Sequence, residues 1–151
     1  MSFHHKSAWA CLISTALIWG AYFALLFTRP AEQSGLALPV SVAAIALQTA
    51  VLIGSHIVFA VVDRGDDRFD ERDRSIALRS GNWAGWVLSL GVFFCIVAFP
   101  MREIALHMDP PGRLASGVLA GPFATGLILL LWFVLSELVH YGGQVLLYRR
   151  G

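Results

Sequence analysis

The chain has 151 residues, of which 57% are hydrophobic and only 14% charged, and its formal net charge at pH 7 is +1. Soluble domains average about 45–50% apolar residues, so this composition argues against a water-soluble domain and indicates a membrane protein. The near-neutral charge argues against nucleic acid as a partner, because such binding relies on a strongly basic surface.

Four continuous apolar segments are each long enough to cross a bilayer, which takes about 20 apolar residues in a helix. The first is too long for a signal-peptide core of about 7–15 residues, so we interpret it as a retained span. We therefore predict an all-α fold: a polytopic integral membrane protein with four transmembrane helices in one bundle, forming a single domain over residues 1–151. The predicted spans are about 8–27, 38–62, 82–99 and 114–148.

Positively charged residues are distributed unevenly between the two sides that these spans define. Eight of the eleven Lys and Arg residues fall on the side that holds the N-terminus, the connection at 63–81 and the C-terminus. Because short cytoplasmic segments are enriched in Lys and Arg, we predict that both termini are cytoplasmic. The predicted location is the bacterial cytoplasmic (inner) membrane. Four interfacial-type aromatic residues lie at the cytoplasmic ends of their spans: Trp9, Trp83, Trp86 and Tyr148.

The connection between the second and third spans is dense in charge, with six acidic residues and five arginines between Asp63 and Arg79. Acidic residues three and four positions before Arg74 stabilise a helix, so we predict a short cytoplasmic helix before the third span. The interleaved arginines would repel a cation, so no metal site is predicted here. One interpretation is a self-neutralised helix, and the other is a cytoplasmic contact surface formed by Asp70, Glu71, Arg72, Asp73, Arg149 and Arg150. We also expect Asp70, Glu71 or Asp73 to pair with arginines of the same cytoplasmic layer, such as Arg149 and Arg150.

Two short motifs in the second half of the chain carry a family resemblance. They are Asp-Glu-Arg-Asp at 70–73, followed by Ile76 just ahead of a span, and the terminal Tyr-Arg-Arg-Gly at 148–151. The chain resembles, from Asp70 to its end, a family of small four-helix predicted membrane proteins of bacteria and archaea. The resemblance implies a four-helix membrane protein whose signature faces the cytoplasm. It implies no activity, because that family has none assigned.

Ionisable residues inside the spans are few, and in membrane proteins such residues usually face the bundle interior. The second span contains His56, and the fourth contains Glu137 and His140. Residues three or four positions apart share one face of a helix, which places Gln144 on the same face as Glu137 and His140. The two histidines lie at similar depths from their helix ends. We therefore predict an intramembrane polar cluster that faces the interior: His56, Glu137, His140 and Gln144.

Three interpretations of this cluster stay open. The first interpretation is hydrogen-bonded packing between helices, a common use of His and Gln in membranes. The second is the pathway of a small proton- or ion-coupled transporter or channel that uses Glu137 and His140. The third is a haem, metal or quinone site, although the chain has one Glu-x-x-His where a di-metal site needs two. The polar stripes fade in the outer half of the second and fourth spans, which favours the first interpretation.

Small residues recur at four-residue intervals in the third and fourth spans, a spacing that lets helix backbones approach closely in lipid. Tight packing within one bundle explains such rows, and a homo-oligomer through the same faces is the alternative. We also expect Pro122 to kink the fourth span. The small residues are Gly81, Gly85 and Ser89 in the third span, and Gly117, Gly121 and Thr125 in the fourth.

No catalytic residues are predicted, because the chain lacks a Gly-x-Ser-x-Gly motif, a Cys/His pair with an orienting acid and a phosphate-binding glycine loop. The sequence leans away from an enzyme, and we predict neither a metal nor another cofactor. The predicted function is that of a structural, accessory or regulatory partner. Its expected surroundings are the lipid bilayer, a membrane-protein or cytoplasmic partner and further copies of itself.

Overall fold

The computed structural model describes residues 3–28, 37–62, 70–108 and 124–150, and all of them except Asp70 are helical. Each of the four helices is long and apolar enough to cross a membrane. No strand occurs in these ranges, so the predicted all-α architecture with four such helices is confirmed. The helices are α1 (Phe3–Thr28), α2 (Ala37–Val62), α3 (Glu71–Met108) and α4 (Ala124–Arg150).

The third helix is longer than the predicted span of 82–99 at both ends. It begins at Glu71 and continues past Pro100 to Met108. The predicted short helix is therefore helical but is the first turns of α3 rather than a separate element, because no Pro interrupts residues 71–81. Asp70 caps it: its carboxylate accepts a hydrogen bond from the Asp73 backbone N–H at 2.7 Å, and the Asp73 carboxylate accepts one from the Asp70 N–H at 3.4 Å. This reciprocal arrangement satisfies two backbone donors at the helix start.

The helices pack in the order α2, α1, α4, α3, since α1 contacts both α2 and α4, and α4 contacts α3. Buried aromatic and aliphatic side chains form the core between α1, α2 and α4, and the rings of Trp19 and Tyr22 meet edge to face at 5.5 Å. Many large apolar side chains on the outer faces are exposed. Such a surface is unfavourable in water and is suited to lipid. The core residues are Trp19, Tyr22, Ala44, Leu127 and Val134.

Two glycines allow α3 and α4 to approach closely. A Cβ added to Gly91 would lie 2.3 Å from Cγ of Trp132, and one added to Gly143 would lie 3.0 Å from the ring of Trp83. Small residues at a helix crossing leave room for a large side chain of the neighbouring helix. In both cases the space of the missing side chain is filled by a tryptophan of the facing helix.

The predicted row of small residues on α3 takes no part in that contact. A Cβ added to Gly81 or Gly85 would meet no atom within 4 Å, and both glycines line an outward groove that also contains Ser89. Packing between α3 and α4 therefore does not explain this row. Of the second row, Gly117 and Gly121 lie outside the described residues, as does Pro122, and Thr125 is exposed.

Candidate functional site

A polar cavity of about 190 Å³ lies at one end of the bundle, between residues of all four helices. This end is the one where α1 and α3 begin and α4 ends. The helix termini bring together side chains that are far apart in the chain, because alternate helices run in opposite directions. Six of its polar lining residues are His4 and Ser7 of α1, His56 of α2, Asp73 of α3, and Gln144 and Tyr148 of α4.

A hydrogen bond between α3 and α4 lies at the outer end of the polar cavity. The hydroxyl of Tyr148 donates to the carboxylate of Asp73 at 2.5 Å, and Asp73 is only 7% exposed. The Tyr148 ring also stacks on His5, with ring centroids 5.2 Å apart. One tyrosine thus ties the end of α4 to the starts of both α1 and α3.

The inner end of the polar cavity is lined by Cys11 and Tyr141. Glu137 lies four residues before Tyr141 on α4, so the two side chains share one face of the helix. Glu137 stands one helical turn deeper than Tyr141 and is partly buried. The cavity therefore extends inward to a tyrosine that lies one helical turn from a partly buried carboxyl group.

The predicted polar cluster gathers around this cavity in a looser arrangement than a single interior group. His56 and Gln144 both line the cavity, and the Gln144 amide lies 3.0 Å from Nε2 of His140. Nε2 of His56 lies 3.4 Å from the hydroxyl of Ser7, and its Nδ1 lies 2.8 Å from a carbonyl of its own helix. His56 is nevertheless exposed on its outer side, because α2 packs mainly against α1. The prediction that it faces the interior therefore holds for one edge of the ring only.

The predicted contact-surface residues divide into two groups. Asp73 is buried, whereas the other five are exposed: Asp70, Glu71, Arg72, Arg149 and Arg150. The motif at 70–73 meets the C-terminal segment through Tyr148. The Arg149 guanidinium lies over the ring of Trp9, 5.9 Å from its centroid. A pairing of the C-terminal arginines with these acids stays a prediction.

Sequence reasoning left several lining residues unassigned. Tyr141 and Tyr148 share the polar face of the fourth helix with Glu137, so helical spacing was the available signal for both. Cys11 is only 2% exposed. Because it lies inside an apolar run, the sequence alone indicates a small buried hydrophobic residue there. His4 and Ser7 precede or begin the first apolar run, and nothing local indicates that they meet α3 and α4. Their place depends on how the helices pack.

A second polar contact joins α1 to α2 deeper in the bundle. The Gln48 amide donates to the hydroxyl of Thr15 at 3.0 Å and to that of Ser14 at 3.5 Å. Both Gln48 and Thr15 are buried. This is the hydrogen-bonded packing between helices that the sequence suggested for polar residues in the spans, at a position outside the predicted cluster.

Across the four described ranges, no three His, Cys, Asp or Glu side chains lie close enough together to hold a metal ion. No family model, curated protein or solved structure matches the chain.

Proposed function

We propose that the chain is a multi-pass protein of the bacterial cytoplasmic membrane with both termini in the cytoplasm. In this proposal it acts as a structural, accessory or regulatory partner of another protein. The contact is made by a charged layer, which we define as Asp70, Glu71, Arg72, Arg149 and Arg150. The observation that supports it is the Asp73–Tyr148 hydrogen bond, which holds the two halves of this layer, one on α3 and one on α4, beside each other.

The composition of the charged layer favours a protein partner. Exposed ion pairs contribute only about 0–1 kcal/mol to stability, so stability alone is a weak reason for so many charges in one place. The layer contains two acidic and three basic residues, so charges of both signs are exposed side by side in it. Interspersed charges of both signs suit recognition of a complementary protein surface, where they determine register and exclude wrong partners.

Site-specific photocrosslinking in native membranes tests this proposal. A photoreactive amino acid at position 72 should crosslink to one dominant protein, because Arg72 is exposed within the charged layer. The matched control is position 108, since Met108 is 81% exposed at the other end of the same helix. Reversing the charges of Arg149 and Arg150 on α4 should abolish the crosslink from position 72. Identical products from both positions, or insensitivity to charge reversal, would contradict the proposal.

A second candidate is a small proton- or ion-coupled transporter that uses Glu137 and His140. It is favoured by one observation: the polar cavity reaches Tyr141, which lies one helical turn from Glu137 on α4. The core of Trp19, Leu127 and Val134 is apolar, so the described residues of one copy provide polar access from one end only. This candidate expects Glu137→Gln to abolish proton-coupled flux in reconstituted vesicles, whereas the contact-surface proposal expects no flux in either protein.

A further inference from the structure

The lining of the polar cavity determines what it can contain. All of its lining side chains except those of Ala8 and Ala77 carry a polar or ionisable group. An apolar cavity of this size stays dry, whereas a roomy cavity with several hydrogen-bonding partners holds water. At about 30 Å³ per molecule, its volume of about 190 Å³ accommodates roughly six water molecules.

The polar cavity also extends inward along the bundle from the helix ends. Along α1 its lining runs from His4 to Cys11, and along α4 it runs from Tyr148 to Tyr141, which is seven residues in each case. At about 1.5 Å per residue this corresponds to about 10 Å. The polar cavity therefore extends about two helical turns inward from the helix ends.

The titratable groups around the cavity come from every helix that surrounds it. His4 belongs to α1, His56 to α2 and Asp73 to α3. On α4 they are Tyr141 and Tyr148 in the lining, His140 bonded to Gln144, and Glu137 one helical turn from Tyr141. Water between these groups would complete a hydrogen-bonded connection from Asp73 at the helix ends to Tyr141, which lies one helical turn from Glu137 on the same face of α4.

We propose that the polar cavity is a hydrated site that binds water and protons and connects the outer end of the bundle with Glu137. A proton entering at Asp73 or His4 passes along the water molecules to Tyr141, which accepts it on its hydroxyl oxygen while donating its own proton to Glu137. The proton is the only species transferred. This site does not depend on the charged layer, and it exists whether or not Glu137 takes part in transport.

The thiol group of Cys11 can be used to detect this water. Cys11 lines the polar cavity, so its S–H group should exchange rapidly when the purified protein is moved into D2O. The depth-matched control is Ile13→Cys in a background of Cys11→Ala and Cys95→Ala, because Ile13 is 49% exposed on the outer face of the same helix. Infrared spectroscopy of single-cysteine proteins follows the conversion of the S–H stretch to S–D. We expect Cys11 to exchange at least tenfold faster than the cysteine at position 13, and equal rates would overturn the proposal.

Filling the polar cavity provides the second arm of the test. Ala8→Leu places a larger side chain in the lining and should slow exchange at Cys11 at least tenfold. Ala16→Leu, at an exposed position two turns further along α1, should leave it unchanged. Ala77→Leu fills the cavity from α3 and replaces Ala8→Leu if that variant does not fold. Fast exchange at Cys11 in a folded, filled variant would overturn the proposal. Neither result bears on the proposed role of the charged layer, which photocrosslinking tests separately.

Discussion

At the scale of single residues, Asp73 has two roles that its place in the charged connection conceals. Its carboxylate takes part in the reciprocal cap at the start of α3, and it also accepts the hydrogen bond from Tyr148 of α4. A buried acceptor that loses its donor keeps the desolvation cost without the compensating bond. Asp73 therefore connects local helix formation to the packing of two helices.

We expect Tyr148→Phe to lower the free energy of unfolding by about 1–3 kcal/mol, because it leaves the buried Asp73 carboxyl without this donor. Asp73→Ala should also destabilise the protein, because it removes the acceptor of the Tyr148 bond and the bond to the Asp70 N–H. Unfolding by SDS titration in detergent micelles measures both. Glu71→Ala, at an exposed neighbouring position, should change stability by less than about 0.5 kcal/mol. A Tyr148→Phe variant as stable as the parent would contradict the assigned bond.

Gly91 gives the corresponding prediction for packing. Gly91→Ala introduces a methyl group that would lie 2.3 Å from Trp132, so the ring or the helix must move. We expect a loss of about 1–3 kcal/mol, the usual cost of overpacking. Gly85→Ala is the matched control on the same helix, because its methyl group would meet no atom within 4 Å. Thermal denaturation in detergent, followed by size-exclusion chromatography, should separate the two variants clearly. Equal stability would place the contact between α3 and α4 elsewhere.

At the scale of helices, α2 is the element most loosely connected to the rest. Its main contact is with α1, and its buried polar contact is the bond from Gln48 to Thr15. Measured hydrogen bonds between membrane helices average about 0.6 kcal/mol, so this bond specifies the register of α2 on α1 more than it stabilises the fold. The apolar faces of α2 then remain available to lipid.

A double-mutant cycle of Gln48→Leu and Thr15→Val should give a coupling energy of about 0.6 kcal/mol, and no more than about 1.7 kcal/mol. Thr49→Val is the control, since the Thr49 hydroxyl is exposed and bonds a carbonyl of its own helix at 2.9 Å. That change should show no coupling to Thr15→Val. The same SDS titration measures all the variants. Coupling with Thr49 as large as with Gln48 would mean that the cycle reports a general change in α2.

At the scale of the whole molecule, the polar cavity, the charged layer and the α3 cap all lie at the same end of the bundle. The opposite half of the described bundle contains the apolar core and exposed aliphatic side chains. The charge asymmetry predicts that the polar end faces the cytoplasm, where short segments rich in Arg are retained.

Cysteine labelling of intact cells tests that orientation with two positions on one helix. In a background of Cys11→Ala and Cys95→Ala, we expect a membrane-impermeant thiol reagent to label Met108→Cys and to leave Glu71→Cys unlabelled until the membrane is opened. Both positions are exposed and lie at the two ends of α3, so access to the side chain is comparable. The reverse pattern would invert the topology and place the charged layer outside the cell.

The sequence by itself determined the four helices and their apolar character, because continuous hydrophobicity over a span is a local property that neighbouring residues share. It also indicated the face of α4 that carries Glu137, His140 and Gln144, since helical spacing follows from position in the chain. Only the tertiary structure decided that this face borders a cavity with Cys11 and Asp73, and that Gly91 rather than Gly85 meets the neighbouring helix. In lipid every outer face is equally apolar, so hydrophobicity does not specify how each helix is rotated or which helix it contacts. Close packing of side chains and hydrogen bonds between distant residues, such as Asp73 and Tyr148, make that choice.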